Sequence, residues 1–346
     1  MPSLSDTAPD LVVDRPRPLA ALLHSRLRGS HAPVIVCGDR TLPAASLWTA
    51  ARALVADLRA LGLTQGDRLL VVTEDDLLRA VALVAGLSSG IGIALATGPG
   101  PLAPIALDAT AVDAALVLFA AVELAEVAKQ QPAPSWCAAF ALHGLLDRGG
   151  ITLRPATPTP SLDAALLLRE DHASGALTWH AYSQHTLADL LNARLVGLFG
   201  ERWAPTDPQS RPAMVMASVL PWTHPAGVLY DLLFGLTAAE VMLRDTAAAE
   251  APELLGDLLE RAGAGAWLTL TVAVSDGFRA GSDRADDLMA SLAGGLIASD
   301  SWDRYPPAAT AMTITRAAAR PRRSPSSEPA HVPIDKTGSR SGEAQT

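Results

Sequence analysis

Apolar residues recur at helical spacing from Leu19 to Arg28, and Pro33 to Cys37 (PVIVC) forms a short β-branched run closed by the Gly38-Asp39 turn signal. Ser46 to Leu61 places Leu47, Ala51, Leu54, Leu58 and Leu61 on one face and ends at Gly62, which predicts an amphipathic helix. After Gly66-Asp67 comes Arg68 to Thr73 (RLLVVT), a continuous apolar run of the kind buried in a parallel sheet. Glu74, Asp75 and Asp76 then fall where carboxylates oppose a helix dipole, so their expected work is capping rather than catalysis. The pattern repeats as a strand at Ile91 to Ala96, a helix near Ala109 to Ala114, a strand at Ala115 to Ala120 and a helix at Val122 to Gln130. This alternation predicts an α/β fold with doubly wound, mostly parallel sheets and flanking helices.

The same pattern divides the chain. Residues 1–18 read as a flexible lead-in, 19–155 as a first α/β subdomain, PATPTP at 155–160 as a linker, and 161–315 as a second α/β subdomain. From Arg316 to the end, Pro, Ser and Arg replace large apolar residues, which predicts a disordered tail. One stretch could be misread: Ala80 to Gly98 is free of charge and long enough to span a bilayer. Its Ala, Gly and Ser content and its GLSSG break favour a buried helix followed by a buried strand. A membrane-associated protein is the alternative, and partition into detergent would separate the two.

Composition narrows the function. Hydrophobic residues make up 49% of the chain against 18% charged, with only 4% aromatic, so the core is expected to be aliphatic. The formal net charge is −9 and no basic stripe exists, which argues against nucleic-acid binding. Lys129 and Lys336 are the only lysines. Two cysteines, Cys37 and Cys137, build neither a disulfide framework nor a zinc site alone. With no basic n-region and no apolar run at the N-terminus, a cytoplasmic location is the expectation.

Several motifs tempt and fail. Gly86-Leu87-Ser88-Ser89-Gly90 matches G-x-S-x-G, but a nucleophile elbow needs a strand before its serine and a helix after it, and here the order is reversed. The same reversal demotes Gly90-Ile91-Gly92 as a dinucleotide fingerprint. His172, His180 and His185 share no helical face, and neither H-E-x-x-H nor a paired C-x-x-C occurs, so no metal site is expected.

Three blocks carry a family likeness. Gly38 to Arg68 contains GDRTL, ADLRALGL and QGDR; Ala164 to Leu168 (AALLL) leads into Glu170 to Trp179 (EDHASGALTW); and Ser218 to Gly227 reads SVLPWTHPAG. Together, from about Leu19 to Trp302, they resemble the N-terminal core of the adenylate-forming superfamily, which includes acyl-CoA synthetases and adenylation domains. The third block is similar to that family's S-x-L-P-x-x-H-x-x-G, matching at Pro221, His224 and Gly227. The resemblance implies the fold of the large N-terminal domain, here without the C-terminal domain, and an acyl or aryl pocket near Trp222, His224 and Gly227.

The second block departs from the family. Its phosphate loop reads T-S-G-T-T-G-x-P-K-G, whereas in this chain only Gly175 holds register, Ser174 is an echo, and Thr178 and Trp179 occupy the lysine and glycine positions. A phosphate cradle needs free backbone amides, glycines and a cation. Glu170 and Asp171 bring the opposite charge. The expectation is therefore a truncated, degenerate relative with a vestigial loop (Ser174, Gly175, Thr178), no catalytic residues and no cofactor. Its expected role is to bind an acyl or aryl group, a carrier protein or an intact homologous ligase. The alternative is an active carboxylate-adenylating ligase using ATP and Mg, completed by a second polypeptide.

Overall fold

The computed structural model describes residues 19–28, 34–130, 132–148, 164–171, 177–199, 214–263, 266–292 and 294–298. The chain opens with α1 (Leu19–Leu27), the hairpin β1 (Val34–Cys37) and β2 (Arg40–Pro43), then α2 (Ala44–Ala60). Next come β3 (Arg68–Val71), α3 (Asp76–Ser89), β4 (Gly92–Leu95), α4 (Leu102–Ala111), β5 (Leu116–Ala120), α5 (Ala121–Gln130), β6 (Cys137–Phe140) and α6 (Leu142–Asp147). The hairpin β7 (Ala164–Asp171) and β8 (Leu177–Ser183) leads into α7 (Gln184–Phe199). After β9 (Val215–Ser218), a π-helix (Gly227–Leu233) runs into α8 (Phe234–Ala238) and β10 (Val241–Arg244). The remainder is a 3-10 turn (Ala247–Ala249), α9 (Pro252–Ala262), β11 (Trp267–Thr271), α10 (Val272–Gly281), α11 (Ala285–Ser291) and β12 (Gly294–Ala298).

Among the described residues these strands form two six-stranded sheets, ordered β12-β11-β9-β10-β1-β2 and β6-β5-β3-β4-β7-β8. Both are parallel except for the pairs β1–β2 and β7–β8. Sheet membership ignores chain order. The N-terminal strand β1 pairs with β10, Val34 opposite Val241, and β4 pairs with β7, Ile93 opposite Leu166. Arg26 reinforces the first of these closures by donating through Nη2 to the Ala239 carbonyl at 2.8 Å, 213 residues away.

Between the sheets lies α3, whose residues from Leu77 to Leu87 are all buried. Burial of each large aliphatic side chain there contributes about 1.5–3 kcal/mol, which explains a helix with no polar face. Thus the uncharged run from Ala80 to Gly98 is a core helix followed by β4, and among the described residues no helix is long and apolar enough to cross a membrane. Asp75 caps α3, accepting from the Leu77 and Leu78 amides at 3.0 and 3.2 Å. Gly86 is a contact point: a Cβ there would lie 2.2 Å from Ile93 Cγ1 and 2.7 Å from the Ile91 carbonyl. The G-x-S-x-G serine, Ser88, merely donates to the Ala85 carbonyl of its own helix.

The helix expected near Ala109 to Ala114 lies earlier, at Leu102–Ala111. Its N-terminal Pro101 and Pro104 obscured the start, because proline is tolerated in a first helical turn.

Candidate functional site

The β7–β8 hairpin forms the edge of its sheet, with Glu170 opposite Thr178 and Asp171 opposite Leu177. Alternation gives it two chemistries. Leu167, Trp179 and Ala181 pack outward against the cluster that includes Ile105, while Leu166, Leu168 and Tyr182 face the layer between the sheets. Arg169 turns outward and donates to Asp108 Oδ2 at 2.6 Å. On the inward face His180 Nε2 meets Glu170 Oε2 at 2.7 Å. Tyr182 is buried there, and burial together with the Tyr230 hydroxyl and the Glu170 carboxylate pushes its phenol up to about 12. Glu170 and Tyr182 thus share the inward face of the hairpin, and Tyr230 of the π-helix is close enough to act on Tyr182 electrostatically. Ser174 and Gly175 lie outside the described residues; Thr178 is half-buried in β8, and Trp179 is buried.

In the other sheet, the segment from Ser218 to Gly227 turns the chain from β9 into the π-helix. The His224 amide donates to the Pro221 carbonyl at 2.9 Å, and His224 Nδ1 accepts the Ala226 amide at 3.2 Å, so the histidine caps the new helix with Pro225 in its first turn. Gly227 follows from the same turn, since a Cβ would approach the Pro221 oxygen to 2.2 Å. Trp222 is fully buried and donates through Nε1 to Ser218 Oγ at 3.1 Å. The sequence-predicted pocket residues are thus brought together by one turn, with Trp222 and Gly227 inside the core and His224 half-buried.

Behind the turn lies a polar network that motif reading missed. Ser218 Oγ donates to Asp231 Oδ2 at 3.0 Å. Arg244, with no exposed side-chain surface, donates from Nε to Asp76 Oδ2 at 2.8 Å and from Nη1 to the Leu220 and Ser218 carbonyls at 2.6 and 3.2 Å. Its guanidinium carbon lies 4.7 Å over the Trp222 ring. Asp76 also holds Arg79, which in turn donates to the Thr73 carbonyl. This chain of contacts ties the carboxyl end of one sheet to the N-terminus of α3. Asp231 is completely buried, and burial pushes its carboxyl up to about 7 against the opposing pull of Arg244, Thr269, Ser218 and the Leu220 backbone. A lone acid inside the apolar run GVLYDLLFGL was the available signal.

The remaining histidines and cysteines are spread apart. His185 sits on α7 near Asp189 at 3.3 Å, His172 lies outside the described residues, and no group of three metal-ligating side chains is found among the described residues. Burial raises the Cys37 thiol and pushes that of Cys137 up to about 11.

No protein-family profile and no curated protein matches the chain. Solved structures do. ATP-bound MatB from Rhodopseudomonas palustris superposes with a TM-score of 0.62 at 19% identity, covering 80% of this chain and 54% of that one. The fatty acyl-adenylate ligase from L. pneumophila, in complex with acyl adenylate and pyrophosphate, gives 0.60 at 19% identity over 75% and 45%. The N-terminal domain of FACL13 from Mycobacterium tuberculosis gives 0.61 at 15% identity over 78% and 66%. The chain spans about half the length of MatB. It has the fold of the large N-terminal domain of the adenylate-forming enzymes.

Proposed function

We propose that this chain is a non-adenylating protein built on the adenylate-forming fold, whose role is to bind an acyl or aryl group, a carrier protein or an intact homologous ligase. The observation that supports this reading is the chemistry of the β7–β8 hairpin. Where a triphosphate would need a cation and small residues, the inward face of this hairpin carries Glu170 and buried Tyr182, with Tyr230 of the π-helix near them, and β8 contains neither lysine nor arginine. A triphosphate beside Glu170 meets like charge in a partly desolvated site, where such repulsion is screened least. These features support the non-adenylating reading.

The second reading is a carboxylate-adenylating ligase using ATP and Mg, completed by a second polypeptide. It is favoured by the shared fold with a MatB that holds ATP. Calorimetric titration with MgATP, followed by carboxylate-dependent pyrophosphate exchange, separates the two. No heat and no exchange from a protein with a cooperative thermal transition are expected. Binding at micromolar to low-millimolar MgATP, or measurable exchange, overturns the first reading in favour of the second.

A further inference from the structure

A cleft of about 520 Å³ opens on the opposite side of the same sheet from the β7–β8 hairpin, between β2, the N-terminus of α3 and the β5–β6 edge. Its position follows from topology. The chain leaves β3 into α3, which packs on the inner face with Leu69 and Val71, and leaves β5 into α5, whose Leu124 and Val127 pack on the outer face with Val117 and Phe119. Two neighbouring strands whose connections diverge to opposite faces create a crevice at their carboxyl ends, where open α/β sheets take ligands.

The chemistry of the cleft narrows what it takes. The backbone amides at the two strand ends are occupied by the protein itself: Glu123 accepts from the Glu74 amide at 2.7 Å and from the Ala120 amide at 2.9 Å. A phosphate would find these donors already used. The floor is apolar, with Leu42 and Leu77 each 1% exposed and Phe140 8% exposed. At the mouth stands Val122, 74% exposed, an apolar side chain with no protein cover. Arg40 lies on the rim and gives Asp75 one N–H at 2.9 Å. The rest of its guanidinium fork has no side-chain acceptor among the described residues, and that hydrogen bond to Asp75 keeps it firmly charged. Asp75 is meanwhile committed to the Leu77 and Leu78 amides, so its charge only partly offsets that of Arg40.

We propose that this cleft binds a small carboxylic acid with an apolar body, its carboxylate on Arg40 and its body over Leu42, Leu77 and Phe140 against Val122. The volume suits a ligand of that size, and a guanidinium fork matches a carboxylate better than any other anion-binding side chain present. The site stands whether or not the hairpin takes nucleotide.

Octanoate and phenylacetate are the probes, with octan-1-ol as the uncharged control, read by saturation-transfer NMR and calorimetry on the full chain. Either acid is expected to bind, Arg40→Met to weaken it at least about tenfold without changing octan-1-ol, and Ala141→Trp to abolish it by filling the cleft. Val122→Asp, at an exposed position that leaves folding unchanged, is expected to weaken the acids as well. Failure of both acids to bind at about 5 mM, or binding undiminished in Arg40→Met and Val122→Asp, overturns the proposal. The MgATP titration probes the far edge of the sheet, so its result leaves this one unaffected.

Discussion

Replacing Asp231 with asparagine removes an ionisation that the fold opposes. In the folded chain the carboxyl is raised from 3.8 to about 7, because desolvation outweighs Arg244, Thr269, Ser218 and the Leu220 backbone. Below the unfolded value both states carry the proton. Between about pH 4 and 7 only the folded state holds it, so the stability this group contributes is fully present in acid and is lost as pH rises through 7. At 1.36 kcal/mol per pH unit the full effect is about 4 kcal/mol, of which about 3 kcal/mol falls between pH 5 and pH 8. The amide introduced by Asp231→Asn cannot titrate, and any cost of fitting it beside Ser218 is the same at both pH values. Urea unfolding of both proteins at about pH 5 and pH 8 should show the variant gaining on the wild type by about 3 kcal/mol, a relative midpoint shift of about 1 M. Parallel pH profiles, within about 0.5 kcal/mol, would refute a carboxyl stored protonated in the core.

Other perturbations probe the neighbouring features. Arg244→Met leaves Asp76 Oδ2 and two carbonyls in the interior without their donor, although Arg79 still holds Asp76 Oδ1, and should cost about 3 kcal/mol in denaturant unfolding, against under about 1 kcal/mol for an exposed pair such as Lys129–Glu126. Gly227→Ala drives a methyl into the Pro221 carbonyl and should lower stability by about 1–3 kcal/mol in thermal melts, while Ser88→Ala should stay within about 0.5 kcal/mol. With its thiol raised from 9.0 to about 11, Cys137 should react with iodoacetamide at pH 8 about a hundredfold more slowly than a free cysteine. Mass spectrometry of the alkylated peptide reads that rate.

The elements legible in the sequence were those whose burial pattern repeats along a single segment. RLLVVT became β3 because apolar layers cover both of its faces, and the ALVADL periodicity became α2 because one side of that helix is buried. The Asp75 cap was equally visible, since a carboxylate before an apolar run has few other uses. Sheet order was not visible: nothing local in VIVC marks it as the partner of VMLR. At the site, the S-x-L-P-x-x-H-x-x-G spacing was readable, and the structure gives it a turn's logic through Pro221, His224 and Gly227. The Arg244–Asp76 tie and the Glu170–His180 contact join side chains from separate strands and helices or across a hairpin, and long-range pairing leaves no periodic trace. The cleft near Arg40 was hidden for the same reason, since its walls come from β2, α3, α5 and α6.

The interleaving of the two sheets has a consequence in time. Because β1 pairs with a strand that begins at Val241, a ribosome working at about 5–20 residues per second needs roughly 10–40 s between making Val34 and making its partner. During that interval α3 has emerged with its apolar sides and one of its two covering sheets is unfinished. The slow step of folding should be closure of β10 against β1 rather than any local helix. A break introduced between residues 155 and 161 would cut across both sheets at once. Two such fragments should complement each other in trans, each supplying strands the other lacks, and neither should fold alone.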